Sequence, residues 1–113
     1  MTTYELYRKR YKELYITVQK DGIPYKAAGS EKIRFVIFDA SSSAVLLKEL
    51  TAENYDDDLK KYKLILSSNT DMDIPAGRYF FNCDFVDSHG EKTRISSGRV
   101  IVRNAFIYNE VSL

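Results

Sequence analysis

The sequence predicts an all-β fold, a single antiparallel β-sandwich of about seven strands. Three observations predict it. Apolar and polar residues alternate over runs of five to ten residues, the period of a half-buried strand. Those runs are rich in β-branched and aromatic residues, which suit a pleated surface. Turn-forming clusters recur about every ten residues, the spacing of a sandwich or barrel.

The first run is residues 13–19 (ELYITVQ), with Leu14, Ile16 and Val18 on one face. Lys20-Asp21-Gly22 then supplies a hairpin-type turn, because Gly tolerates positive φ. Residues 31–40 (EKIRFVIFDA) set Ile33, Phe35 and Ile37 against Arg34, Val36 and Phe38. Both faces carry apolar groups, so a central strand is predicted, covered at least in part on its second side. Residues 45–50 and 92–96 are shorter candidates. Residues 62–66 (YKLIL) and 99–103 (RVIVR) offer Leu64, Leu66, Val100 and Val102 inward. In residues 78–87 (RYFFNCDFVD), Tyr79, Phe81, Cys83 and Phe85 share a face, with Phe80 and Val86 opposite. The outline is Ig-like. Residues 49–63 read as a charged loop with at most one helical turn, a short helix being the alternative.

The chain has 113 residues, with 17 Lys+Arg against 16 Asp+Glu, 44% hydrophobic and 29% charged. One core is within reach at this length. The composition excludes a disordered tail or a collagen-like rod, and no stretch nears the ~20 apolar residues of a membrane helix. A net charge of +1 gives no steering toward nucleic acid or an anionic membrane. The aromatic set is unusual, nine Tyr and six Phe without Trp. Five of the six Phe lie in the two longest runs and read as core. Tyr gathers at the N-terminus, in loops and at strand edges, and reads as contact surface.

Residues 1–12 are read as an N-terminal arm, 13–103 as the sandwich and 104–113 as a C-terminal tail. Tyr4, Tyr7 and Tyr11, with Arg8 and Arg10, make the arm aromatic and basic, a composition enriched at protein interfaces. Tyr4, Tyr7, Tyr11 and Tyr15 share a face on a helix; on a strand, Tyr7, Tyr11 and Tyr15 do. Packing on its own domain and contact with a neighbour both account for the arm. The tail, with Phe106 and Tyr108, is predicted to pack on a partner or on its own domain. Stacking of the arm on nucleic acid is disfavoured by Glu5 and Glu13.

No constellation for catalysis stands out. His89, the only histidine, sits in the turn DSHG and reads as solvated. Cys83 reads as core filler; alone, it forms no intramolecular disulfide, which suggests a reducing cytoplasm. Cysteine and histidine together number two, too few for a zinc site. Asp56-Asp57-Asp58 and the pair Asp71 and Asp73 lack the spacing of a calcium loop and read as solvated. No cofactor and no enzyme activity are expected.

The second half carries a familiar pattern. Ile74-Pro75-Ala76-Gly77-Arg78-Tyr79 opens a strand, Ser88-His89-Gly90-Glu91 turns it, and Ser97-Gly98-Arg99-Val100-Ile101-Val102 closes the domain. Asp21-Gly22-Ile23-Pro24, ahead of residues 33–38, matches the early part. Over residues 13–103 this resembles the small Ig-like β-sandwich domains of tailed-bacteriophage virion proteins, including the N-terminal domains of baseplate upper proteins. The Cys…Trp…Cys set of disulfide-bonded Ig domains is missing. The family's common Leu-Thr-Gly is replaced by Lys26-Ala27-Ala28-Gly29-Ser30. The resemblance implies a non-enzymatic structural component of a tail, baseplate, neck or capsid surface, assembled in the host cytoplasm and carried on the virion. Its partners would be other virion proteins and copies of itself, with no nucleic acid and no membrane, and residues 1–12 and 104–113 are expected to serve as its docking arms. The alternative expectation is a carbohydrate- or ligand-binding module, with Tyr25, Tyr55 and Tyr62 as stacking candidates.

Overall fold

Each alternating run has one apolar parity, and side-by-side pairing of such runs collects that parity onto one face of a sheet. The computed structural model describes residues 2–104. It is all-β: β1 (Thr2–Tyr7), β2 (Lys12–Ile16), β3 (Gln19–Lys20), β4 (Ile23–Pro24), β5 (Lys32–Phe38), β6 (Ala44–Leu50), β7 (Tyr55–Asp56), β8 (Lys61–Leu66), β9 (Gly77–Val86) and β10 (Lys92–Arg103). A five-stranded sheet has the order β1-β10-β9-β5-β6, a three-stranded sheet the order β2-β8-β7, and β3 pairs with β4. No helix among the described residues is long and apolar enough to cross a membrane.

Two differences from the predicted antiparallel arrangement of about seven strands have physical causes. The main sheet is mixed, because β1 runs parallel to β10. After β1 the chain turns into β2 of the other sheet instead of forming a hairpin, so nothing imposes an antiparallel neighbour. The described residues form ten strand segments. Residues 92–96 and 99–103, read as two strands, are one; a bulge between Arg94 and Ser96 keeps β10 in register with β9. The additions are β1 and three two-residue strands, β3, β4 and β7. Residues 2–7, expected within an arm, thus form the edge strand of the main sheet.

The core is drawn from both sheets. Ile33, Phe35 and Ile37 of β5, Phe81 and Cys83 of β9, and Val100 and Val102 of β10 form one cluster with Leu14, Ile16, Leu64 and Leu66. Each such side chain contributes about 1.5–3 kcal/mol on burial. Met72 and Ile74, between β8 and β9, plug the same cluster. The loop around Met72 is pinned by Asp71, whose carboxylate accepts from the Ser67 N–H at 2.9 Å and from Lys48 Nζ at 3.0 Å.

Asp21 and Gly22 both take positive φ, 55° and 79°, the geometry of a two-residue hairpin turn between β3 and β4. The segment 49–63 holds one 3-10 turn, Ala52–Asn54, closed by a reciprocal cap in which Thr51 Oγ1 accepts from the Glu53 N–H and Asn54 Oδ1 accepts from the Thr51 N–H. β7 and a tight turn follow.

Candidate functional site

Burial removes several side chains from consideration. Cys83 faces the core and burial pushes its thiol up to about 12, so it is neutral and unreactive at physiological pH. Exposed His89 gives its backbone N–H to Asp87 Oδ1 within the β9–β10 turn. Asp56 Oδ1 accepts the N–H groups of Asp58 and Leu59, which ties the acidic run into a turn. Asp73 pairs with Arg8 at 3.1 Å. Among the described residues, no group of three or more His, Cys, Asp or Glu is placed to share a metal ion.

The tyrosines divide by parity. Tyr4 and Leu6 of β1 point inward, and the Tyr4 ring lies 5.0 Å from that of Phe81. Burial raises its hydroxyl pKa above the ordinary phenol value. Tyr62 is wholly buried, its hydroxyl donating to the Tyr25 carbonyl and accepting the Ala27 N–H. Tyr62 therefore offers no ring for stacking, because its strand parity turns it to the core. Tyr79 is buried too, on the face it shares with Phe81 and Cys83 as its strand spacing predicts; the reading of Tyr as contact surface fails at Tyr62.

Of the residues singled out in the arm, Tyr7 (44% exposed) stands on the outer side of β1, and half-buried Arg8 donates to Asp73. Arg10 is exposed in the β1–β2 turn, where its N–H donates to the Tyr7 carbonyl. Tyr11 is brought together with Glu13 and Tyr15 on the outer face of the three-stranded sheet. The Tyr11 hydroxyl donates to Glu13 Oε2 at 2.5 Å and the Tyr15 hydroxyl to Oε1 at 2.9 Å. These two bonds, Tyr11 first, hold the Glu13 carboxyl below its ordinary value. Phe106 and Tyr108 lie outside the described residues.

A second surface was missed by reading Phe as core. Phe38 and Phe80 are register partners across β5 and β9, on the face turned away from the core. Their rings stack at 5.8 Å, and Phe80 is 40% exposed. Val36 and Leu47 (47% exposed) continue this apolar strip as the next register pair. Beyond them Arg94 pairs with Asp84, and Lys32 with Glu49, so the strip has a charged rim. A shallow groove of about 480 Å³ runs between Val36, Phe38, Asn82 and Asp84. The signal was legible: Phe38 and Phe80 fall out of phase with the inward residues of their own strands. Among the described residues no layer covers them.

With this geometry established, comparison with family models, curated proteins and solved structures yields no match to the chain.

Proposed function

We propose that this chain is a non-enzymatic structural subunit of a tailed-phage virion that docks on other virion proteins. The observation that carries the reading is the stacked Phe38–Phe80 pair with Val36 and Leu47 on the outer face of the main sheet. An exposed apolar strip with a charged rim has the anatomy of a protein interface. The topology supports the Ig-like reading behind it. The order β6-β5-β9-β10 opposite β2-β8-β7 parallels the two sheets of an Ig domain, and the Tyr79 hydroxyl bonded to the Pro75 carbonyl parallels its tyrosine corner.

The reading requires head, tail or portal genes beside this one, and a complex on co-expression with those neighbours. Phe80→Glu is expected to weaken that complex at least tenfold while leaving the circular dichroism of the chain unchanged. Binding unaffected by the charge at residue 80 argues against the outer face as the interface.

One observation favours a second reading, a carbohydrate-binding module. Tyr11 and Tyr15 flank the Glu13 carboxylate on an exposed sheet face, two aromatic platforms beside a hydrogen-bond acceptor. A glycan array separates the two readings: saccharide binding lost in Tyr11→Ala supports this one.

A further inference from the structure

A second feature, sharing only Arg94 with the rim of the outer strip, lies at the start of β10. β1 pairs with β10 only from Gly98 onward, whereas β9 pairs with it from Lys92. Among the described residues, positions 92–97 therefore have a strand on one side only. Such a half-edge presents backbone N–H and C=O groups without strand partners. It also walls a cleft of about 630 Å³ through Thr93, Arg94 and Ile95, opposite Thr17 and Gln19.

The cleft has an apolar floor of Val18 and Phe85. Its polar groups are unequally committed. Glu31 Oε1 accepts both the Tyr25 hydroxyl at 2.7 Å and the Ala28 N–H at 2.9 Å. Arg94 gives its Nε to Asp84. The Lys20 ammonium lies 5.2 Å over the Tyr25 ring and helps lower the Glu31 carboxyl through space, but no carboxylate stands within ion-pair distance of it among the described residues. Lys20 covers one side of that ring, and the Tyr25 and Phe85 rings meet edge to face at 5.8 Å.

We propose that the cleft binds an extended peptide segment of a second protein, added as a strand along residues 92–97 in line with β1. Alternate apolar side chains rest on the Val18–Phe85 floor, and a carboxylate of the peptide meets Lys20. In strand addition the main chain supplies affinity and alternate side chains supply specificity, which matches a wall of open backbone over an apolar floor with one cation outside any ion pair among the described residues.

The test is selection of displayed eight-residue peptides, Val or Ile fixed at three alternate positions and the rest random, on the immobilised full chain and in parallel on Lys20→Glu. Asp or Glu is expected to dominate at one position on the native chain, with Lys or Arg replacing it on the variant. A synthetic copy of the best peptide shifts the amide resonances of residues 17–20 and 92–97. It loses at least tenfold in affinity when Pro stands at one of its two middle residues, the one whose N–H faces β10, and about two- to fivefold on Lys20→Glu, the range of an exposed ion pair. Selection that never rises above bare support overturns the proposal. So do undiminished binding with Pro at either of the two middle residues, resonance shifts confined to other residues, and the same acidic preference on both chains.

Discussion

The Tyr79 hydroxyl donates a 2.6 Å hydrogen bond to the carbonyl of Pro75, four residues upstream. The bond closes the corner through which the chain enters β9, with Gly77 between the two residues and the Tyr79 ring buried beneath them. Tyr79→Phe keeps the ring and removes only the donor. It is expected to cost about 1 kcal/mol, the net worth of one such bond, read as a lower urea midpoint at unchanged slope. An unchanged midpoint assigns the corner's stability to ring packing alone.

Gly98 is the register partner of Thr2, where β1 lies close against β10. A Cβ at this position would overlap the Thr2 carbonyl oxygen and come within 2.9 Å of Phe81 Cε1. Backbone on one side and a core ring on the other leave no cheap adjustment. Gly98→Ala is expected to destabilise by about 1–3 kcal/mol, the usual cost of overpacking. The damage should fall on β1, so amide exchange at residues 2–7 should accelerate more than at β5. Uniform acceleration across both sheets contradicts that local account.

Strand interiors were legible because parity is a local property: Ile33, Phe35 and Ile37 face the core as their spacing requires. β1 was not legible, since its partner lies almost a chain length away and no turn signal joins them. Its inward pair, Tyr4 and Leu6, is short and runs straight into the basic run Arg8-Lys9-Arg10. Parity also placed Phe38 and Phe80 on a second face. Whether another layer covers that face depends on how sheets stack, which no local pattern encodes. The cleft at β10 is less visible still, because it arises from a mismatch in length between two paired strands.

Cys83 sets a pH limit on the alkaline side. Burial raises its thiol from 9.0 to about 12. Between those values the unfolded chain has lost the proton while the folded chain keeps it, so stability present below pH 9 is lost as pH rises. The slope approaches 1.4 kcal/mol per pH unit for one proton, an upper bound in order of magnitude. The raised hydroxyls of Tyr4 and Tyr62 act in the same direction above pH 10. Cys83→Ala should flatten the fall between pH 9 and 10. A thiol-specific reagent at pH 8 should label the wild-type chain only after denaturant is added. Fast labelling of the native chain would falsify the burial assignment.

Asp71, with Glu13, Glu31 and Asp39, contributes stability that is lost on the acid side. Burial pushes its carboxyl up, but the Ser67 N–H and the Lys48 ammonium outweigh this and leave it below 3.8. A folded value below the unfolded one means that the contribution is present above pH 4 and is lost as pH falls through the folded value. Asp71→Asn removes the charge at every pH. It is expected to lower stability by about 1–2 kcal/mol at pH 7, and by much less at pH 2.5. An equal loss at both values shows that the carboxamide is merely a poor fit.

Glu13 gives the sharpest reading of the Tyr11–Glu13–Tyr15 surface, because its carboxyl reports directly on both hydroxyls. Their hydrogen bonds lower its pKa, with a smaller contribution from Lys63 3.6 Å away. Removing either hydroxyl should raise the Glu13 value toward 4.5, and Tyr11→Phe should raise it more than Tyr15→Phe. Carboxyl carbon shifts followed by NMR titration resolve the two steps. The double variant should titrate as an ordinary exposed glutamate with a lysine neighbour. A Glu13 value indifferent to both substitutions means that the phenols point elsewhere in solution, and the paired platform on which the carbohydrate reading depends does not form.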